Sequence, residues 1–571
     1  MLKIPYGESN FAMIRNENYL YIDKTHYIRR LEPVKKLIHL RPRRFGKSLF
    51  ISMLESYYDV AQEKKFDTLF KDLHIHNNPT EYKNSYYILR LNFSGIQNTE
   101  KFGIEDGFVD VVYNACQKFV NKYDFNINLD KMDSAASILR NLMRGFKQLE
   151  LPHKIYVLID EYDHFTNTLL TGEGDDFLEM LQKGGFVRSF YEVIKEQSEE
   201  GLVDRLFITG VMSVTLDSMT SGFNVGTNIT TTEEFSDMMG FTSDEVKAML
   251  QLEFTGTVES DENIRLDIKT QEEVYKVFKD NYNGYLFSRH GENKVFNSTL
   301  IMHFMKNYVR SNKYPDDLGD DNLNQTGTTI TNIVNLKNRQ DNYRVIEQIV
   351  EKGEVYGTLQ PFIKIEEKFD KNDFITLLFN LGMLTIDGFQ MKMRFKIPNQ
   401  IIQKIYYDYL KMLLEKRASY KIDLFEQEDA LMDLGNNGEI APITAVVSEF
   451  LNHTSARDKI KFDEKYIKLV YRMILGHTNQ LEVYDEFPMV QGYGDLFIQK
   501  APSSTANFEV LVELKYLKAT GVNEMTVDAK VEEGMQQIAT YLKDERISMR
   551  ENLRKFVIVF VGFDAVRIVE V

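Results

Sequence analysis

The sequence predicts an α/β chain in three parts. A parallel-sheet domain is expected over residues 1–235, a mainly helical middle over 236–420, and a smaller α/β unit with its connector over 421–571. Three observations carry this. Apolar runs at Leu37–Leu40, Ile155–Ile159 and Leu206–Val211 alternate with helical spacing, the pattern of strands buried on both faces. Beyond residue 235 helical spacing takes over. After residue 460 short strand patterns return near Leu496–Gln499, Glu509–Leu514 and Lys555–Val561, with helices expected at Glu464–Leu475 and near Val531–Leu542.

Composition narrows the class. A chain of 571 residues has room for three or four domains, and 43% hydrophobic with 27% charged residues is ordinary for a soluble globular protein. Cys116 is the single cysteine, so neither a disulfide framework nor a multi-cysteine zinc site is available. That suits a reducing, cytoplasmic setting. Met1–Glu8 lacks the apolar region of a signal peptide, and no apolar run is long enough to span a bilayer, so no membrane partner is expected. A net charge of −16 argues against a general polyanion binder, so any nucleic-acid contact must be a local basic surface.

Taken in order, Phe11–Ile14 is a first apolar run. Tyr19–Ile22 reads as a short strand, closed by Asp23-Lys24-Thr25, where Asp23 or Thr25 could cap the next helix. The strand Leu37–Leu40 then runs through Arg41-Pro42-Arg43-Arg44-Phe45 into Gly46-Lys47-Ser48, and Leu49, Phe50, Met53, Leu54 and Tyr57 follow at helical spacing. Strand, Gly-Lys-Ser, helix is the setting of a phosphate-binding loop, because backbone N–H groups and the dipole at a helix start attract an anion. Lys47 would reach the β- and γ-phosphates and the Ser48 hydroxyl would hold Mg²⁺. Arg41 stands where that motif ordinarily begins with glycine. The competing reading is a basic turn before a surface helix.

Tyr86–Ser94 reads as the next strand and 104–150 as mostly helical, broken at Asp130–Asp133. The strand Ile155–Ile159 ends in Asp160-Glu161-Tyr162-Asp163. Set opposite a phosphate loop, Asp160 would sit in the Mg²⁺ shell and Glu161 would polarise the attacking water. Thr209, on the strand after that, could sense the γ-phosphate or be a core threonine. No arginine finger can be assigned; Arg188 and Arg205 are the candidates.

In the middle region, helices are expected at Ser243–Leu252 and Gln271–Phe278, with a turn at Asn281–Tyr285. A helix at Phe374–Leu381 stops at Gly382, and Met383–Ile386 and Met391–Ile397 flank the turn signal Asp387-Gly388. Helix plus two-stranded wing resembles a winged-helix module; a helix and hairpin closing a core fits equally. Residues 420–455 read as a helical connector.

In the last unit Asp495 opens a strand, and Glu513 and Lys515 lie two apart on the next, hence on one face. If those strands pair, Asp495 and Glu513 can share a divalent ion, Lys515 can orient water or stabilise developing charge, Glu464 can complete the metal shell, and Gln537 can help position the site. Glu-x-Lys alone often marks a solvated strand face.

These features together resemble AAA-ATPase-like proteins that carry a C-terminal PD-(D/E)xK nuclease-like domain. The resemblance covers nearly the whole chain. It rests on Tyr21–Thr25, Arg41–Ser48, Leu158–Asp163, Thr209–Val211, Ser221–Asn224, Tyr282–Tyr285, Gly382–Ile386, Ile397–Asn399 and the Asp495, Glu513, Lys515, Gln537 set. It makes Arg41 a family feature; Met212-Ser213-Val214 is less typical. It implies a P-loop NTPase domain, a helical lid and a restriction-endonuclease-like domain. ATP would be held by Arg44, Phe45, Gly46, Lys47, Ser48, Leu49, Asp160 and Thr209, and Mg²⁺ by Ser48 and Asp160, with a second metal site at Glu464, Asp495 and Glu513. Catalysis would rest on Glu161, Asp495, Glu513, Lys515 and Gln537. Cleavage of nucleic acid, with DNA the first choice, is the leading expectation; a homo-oligomer is left open. The alternatives are an ATP-driven switch or scaffold whose nuclease-like domain binds nucleic acid or a partner without cutting, and a nucleotide-binding interaction protein without catalysis.

Overall fold

The computed structural model describes all residues except 1, 97–102, 132, 165–184, 214–225, 256–262, 320–329, 337, 362, 364–368, 455–462, 477, 479, 489–492 and 503. The chain forms two compact units. The first comprises Met1–Asn312, Thr331–Ile346 and Glu354–Gln400; the second comprises Lys313–Ile330, Glu347–Gly353 and Ile401–Val571.

The first unit is built on a parallel sheet in the order Tyr86–Asn92, Lys154–Asp160, Val203–Gly210, Lys36–Leu40, Thr227–Asn228. Its central strands are buried along nearly their whole length, as their unbroken apolar runs require. Helices Lys47–Tyr58, Ile104–Lys122, Ala135–Gln148 and Gly185–Glu199 accompany it. Phe11–Ile14 belongs to a short helix, Phe11–Asn16, capped by the Asn10 side chain. Tyr19–Ile22 is not a strand: Tyr19 makes one isolated bridge with Lys3. Asp23 does not cap the following helix but accepts hydrogen bonds from Thr25 N (2.8 Å), the Thr25 hydroxyl (2.6 Å) and His74 N (2.6 Å), pinning the segment in place.

The expected wing has three strands, in the order Glu354–Gly357, Lys392–Lys396, Thr385–Gln390, beside the helix Lys371–Asn380. Its turn is at Met391, not at Asp387-Gly388. Arg394 pairs with Gly388 and Phe395 with Ile386, which leaves Asp387 as the extra residue of a bulge. A composition signal for a turn therefore marks a kink inside a strand.

The second unit carries the helices Leu424–Asn437, Ala441–His453 and Glu464–Leu475 and a mixed sheet in the order Leu481–Pro488, Tyr493–Lys500, Glu509–Leu517, Leu553–Val561, Asp564–Glu570. Only the Glu509–Leu517 and Leu553–Val561 pair is parallel. The helix Glu524–Tyr541 connects them and packs on both. The outer strands Leu481–Pro488 and Asp564–Glu570 were not anticipated. Among the described residues no helix is long and apolar enough to cross a membrane.

Candidate functional site

In the first unit the loop after Leu40 ends at Gly46, whose φ of +86° starts the helix Lys47–Tyr58. The Lys47 side chain is buried and its Nζ donates to the carbonyls of Arg41 (3.2 Å) and Pro42 (3.0 Å). Burial lowers its pKa, opposed by the charges of Glu161, Asp163 and Asp160. A cavity of about 300 Å³ opens at the loop, lined there by Arg44, Phe45, Gly46, Lys47, Ser48, Leu49 and Glu161. Tyr21, from the Tyr21–Thr25 motif, also lines it, together with Tyr6, Met238, Met239 and Met302, which motif reading did not single out.

Asp160 is fully buried and neither carboxylate oxygen has a hydrogen-bond partner in bonding geometry. Burial raises its pKa, and the nearby Ser48 hydroxyl pulls the other way. Glu161 sits at φ +53°, the strained conformation that turns its side chain out of the sheet to the cavity. Asp163 accepts from Val211 N (3.1 Å) and Met212 N (2.7 Å), and burial pushes its pKa up to about 6. It thus braces the segment beyond Gly210.

Thr209 is not brought to the cavity. It is fully buried and its hydroxyl donates to the His39 carbonyl at 2.7 Å, tying two strands together. Arg205 lies at the opposite end of its strand, bonded to the Tyr86 hydroxyl (3.1 Å) and the Glu32 carbonyl (2.9 Å). Arg188 pairs with Glu192 one helical turn on. Neither is placed as a finger.

Arg41 turns away from the loop. Its guanidinium donates to the carbonyls of Leu40 (2.9 Å), Thr230 (2.8 Å), Phe235 (2.8 Å) and Ser236 (3.1 Å) and stacks 4.1 Å over Phe287. Desolvation brings its pKa down to about 9. The residue in the glycine position is a clamp on the segment behind the loop. Other motif residues converge on the same loop. Gly382 (φ +76°) lies against Pro42, where a Cβ would meet the ring at 2.9 Å. Gly284 (φ +101°) lies against the Pro398 carbonyl, and Asn399 donates to the Asn283 carbonyl at 2.8 Å. Thr299 N donates to the Arg44 carbonyl at 3.2 Å and Gly240 N to that of Phe45 at 3.1 Å. Ser221–Asn224, Val214 and Gly492 lie outside the described residues.

In the second unit Asp495 and Glu513 come together, as strand pairing requires. Asp495 Oδ2 accepts from Leu514 N at 2.8 Å, which locks its carboxylate against the neighbouring strand. Lys515 Nζ donates to Glu513 Oε1 at 2.8 Å, and the Tyr541 hydroxyl lies 3.2 Å from Glu513 Oε2. Glu513 is 2% exposed; burial first, then the Asp495 charge, raise its pKa to about 7. Glu464 does not join the carboxylates. Lys468, one turn along the same helix, stands between: its ammonium contacts Asp495 and is 3.3 Å from Glu464. Although burial disfavours that charge, Asp495 and Glu464 hold the Lys468 pKa above the usual lysine value. Gln537 keeps a buried side-chain oxygen without a hydrogen-bond partner, on the helix packed against the two parallel strands. Among the described residues no group of three or more His, Cys, Asp or Glu is arranged to hold a metal ion. Lys468 and Tyr541 were missed; Lys468 left one trace, its i+4 spacing from Glu464.

Comparison with known proteins adds three findings. Residues 5–220 match the family described as "Predicted AAA-ATPase", and residues 462–570 match the PD-(D/E)XK nuclease superfamily. An "Uncharacterized protein in vnfD 5'region" of Azotobacter chroococcum mcd 1 is 24% identical over 413 residues, 70% of this chain and 67% of that one. The Walker-type ATPase of Pyrococcus abyssi aligns with 68% of this chain and 96% of its own at 14% identity and a TM-score of 0.37. The chain thus carries an AAA-ATPase-like region followed by a PD-(D/E)XK nuclease superfamily region, the layout implied by its motifs.

Proposed function

We propose that the first unit binds and hydrolyses ATP with Mg²⁺ and that the second cleaves DNA in a metal-dependent reaction. The observation that carries the first half is Asp160: a fully buried carboxylate with the Ser48 hydroxyl beside it, no protein cation among the described residues bonded to it, and Lys47 nearby. A buried carboxylate faced only by a hydroxyl is costly unless a cation completes it, so the residues fit Mg²⁺ held by Ser48 and Asp160. Such an ion supplies charge neutralisation to the phosphates. Lys47 exchanges its loop carbonyls for phosphate oxygens, and Glu161, already turned into the cavity, polarises the attacking water. The Met- and Tyr-lined side receives the base.

For the second half, Glu513 and Asp495 repel one another in a buried site, so these two carboxylates would hold a divalent ion, which when bound would supply Lewis-acid activation of water and phosphodiester. Lys515 stabilises the negative charge that develops on the phosphoryl oxygens. One observation favours the second reading, a nuclease-like domain that binds without cutting: Lys468 already balances Asp495, and no third acidic ligand is arranged among the described residues.

The deciding experiment incubates plasmid with the protein and Mg²⁺, with and without ATP. The expected result is nicking by the wild type and none by Lys515→Ala. Equal nicking by both sinks the nuclease assignment, and DNA binding without nicking in any divalent metal selects the second reading.

A further inference from the structure

We propose that the three-stranded sheet Glu354–Gly357, Thr385–Gln390 and Lys392–Lys396 of the first unit is a DNA-binding wing. This deepens the reading that DNA is the substrate and rests on it.

The wing tip is built against the usual rules for a solvent-facing turn. Met391, at the turn, is 97% exposed and sits at φ +57°, a conformation in which glycine or asparagine is the low-cost choice. Phe389, across from Met393 in the register, is 54% exposed. The Arg289 guanidinium lies 5.7 Å over its ring. Two large apolar side chains are thus offered to solvent on a hairpin tip.

The surroundings are cationic in a chain whose net charge is −16. The bulge turns Asp387 toward Lys396 (2.6 Å), Arg394 (2.9 Å) and Lys294 (3.6 Å), so one carboxylate faces three cations; Glu354 lies 3.8 Å from Arg394. Lys371 and Lys392 are both exposed, and their elements meet: Met393 pairs with Gly357, and the Asn372 side chain accepts from Thr358 N at 3.0 Å, so the start of the helix and the start of the last strand lie side by side. The nearby Asp370 and Asp373 are engaged with backbone N–H groups at the start of their own helix: Asp370 accepts from Asn372 N at 2.6 Å and Asp373 from Asp370 N at 2.9 Å. Like charges set side by side cost energy unless an anion joins them.

Cations flanking an exposed apolar tip match a nucleic-acid duplex. Ammonium and guanidinium groups take the phosphates, while a methionine or phenylalanine at a narrow tip packs on sugar and base edges in a groove. An acidic protein gains selectivity from such an arrangement, since its other faces repel the polyanion.

The test uses the full chain and a fluorescein-labelled DNA duplex of about 20 base pairs, read by anisotropy over a NaCl series. Lys371→Glu/Lys392→Glu is expected to weaken binding roughly tenfold or more and to lower the slope of log K against log salt by about 2, the loss of two phosphate contacts. Met391→Gly, which the φ at the turn accepts, is expected to weaken binding with the slope unchanged. Unaltered ATP binding and thermal transition confirm that each variant folds; if the double variant melts early, Arg289→Ala, on a different segment, is put through the same slope test. Wild-type affinity and slope in the charge variant overturn the wing while leaving DNA cleavage standing. Wild-type protein that does not bind DNA overturns both. Tighter binding of an RNA duplex of the same length overturns the choice of DNA.

Discussion

Glu513 shows how much one residue's environment decides. Its neighbours Asp495 and Lys515 pull its proton affinity in opposite directions, and burial settles the matter near 7. Metal must compete with that proton. We expect Mn²⁺ affinity, followed by calorimetry, to level off above about pH 7 and to fall about tenfold per pH unit below it, as one-proton competition requires. Glu513→Gln should weaken binding and flatten the profile; a flat profile in the wild type would refute the assignment. Sequence reading found Glu513 and Lys515 because period-two spacing fixes which face a strand residue takes. It could not find the partner of Glu464. A long side chain on a helix surface has several neighbours within reach, and here the nearer one, Lys468, wins.

At the scale of elements, the phosphate loop is held by segments far along the chain. Pro42 meets Gly382, and Gly284 meets Pro398, so glycines that look like helix stops and turns are close-packing positions. A Cβ at Gly284 would lie 2.0 Å from the Pro398 carbonyl oxygen at a φ of +101°. Gly284→Ala should therefore destabilise the first unit by about 2–4 kcal/mol. Urea unfolding measures this, and a change below about 0.5 kcal/mol would contradict it. The central strands were legible because burial on both faces leaves an unbroken apolar run. The Tyr19–Ile22 run carried the same local signal without a sheet to join, and the Asp387-Gly388 signal marked a bulge. Local composition reports what the backbone tolerates, and neighbouring strands choose among the options.

For the whole molecule, two compact units predict two separable transitions on heating. ATP with Mg²⁺ should raise only the transition of the first unit, by about 2.7 kcal/mol at a hundredfold excess over Kd. Lys47→Ala should remove that shift and leave the other transition unmoved; a shift that survives the substitution would refute the role of the loop. Written plainly in the order of residues were the parallel sheet, the Gly46-Lys47-Ser48 turn, the Asp160-Glu161 strand end and the Asp495, Glu513, Lys515 pattern, because each is fixed by neighbours within one or two elements. The direction of Arg41 into the Thr230–Ser236 carbonyls, the bond of Thr209 to His39, the contact of Lys468 with Asp495 and the exposure of Met391 were settled by folding. Periodicity encodes which face is buried, whereas the partner of a buried polar group comes from a segment that may stand nearly two hundred residues away, as Thr230 does from Arg41.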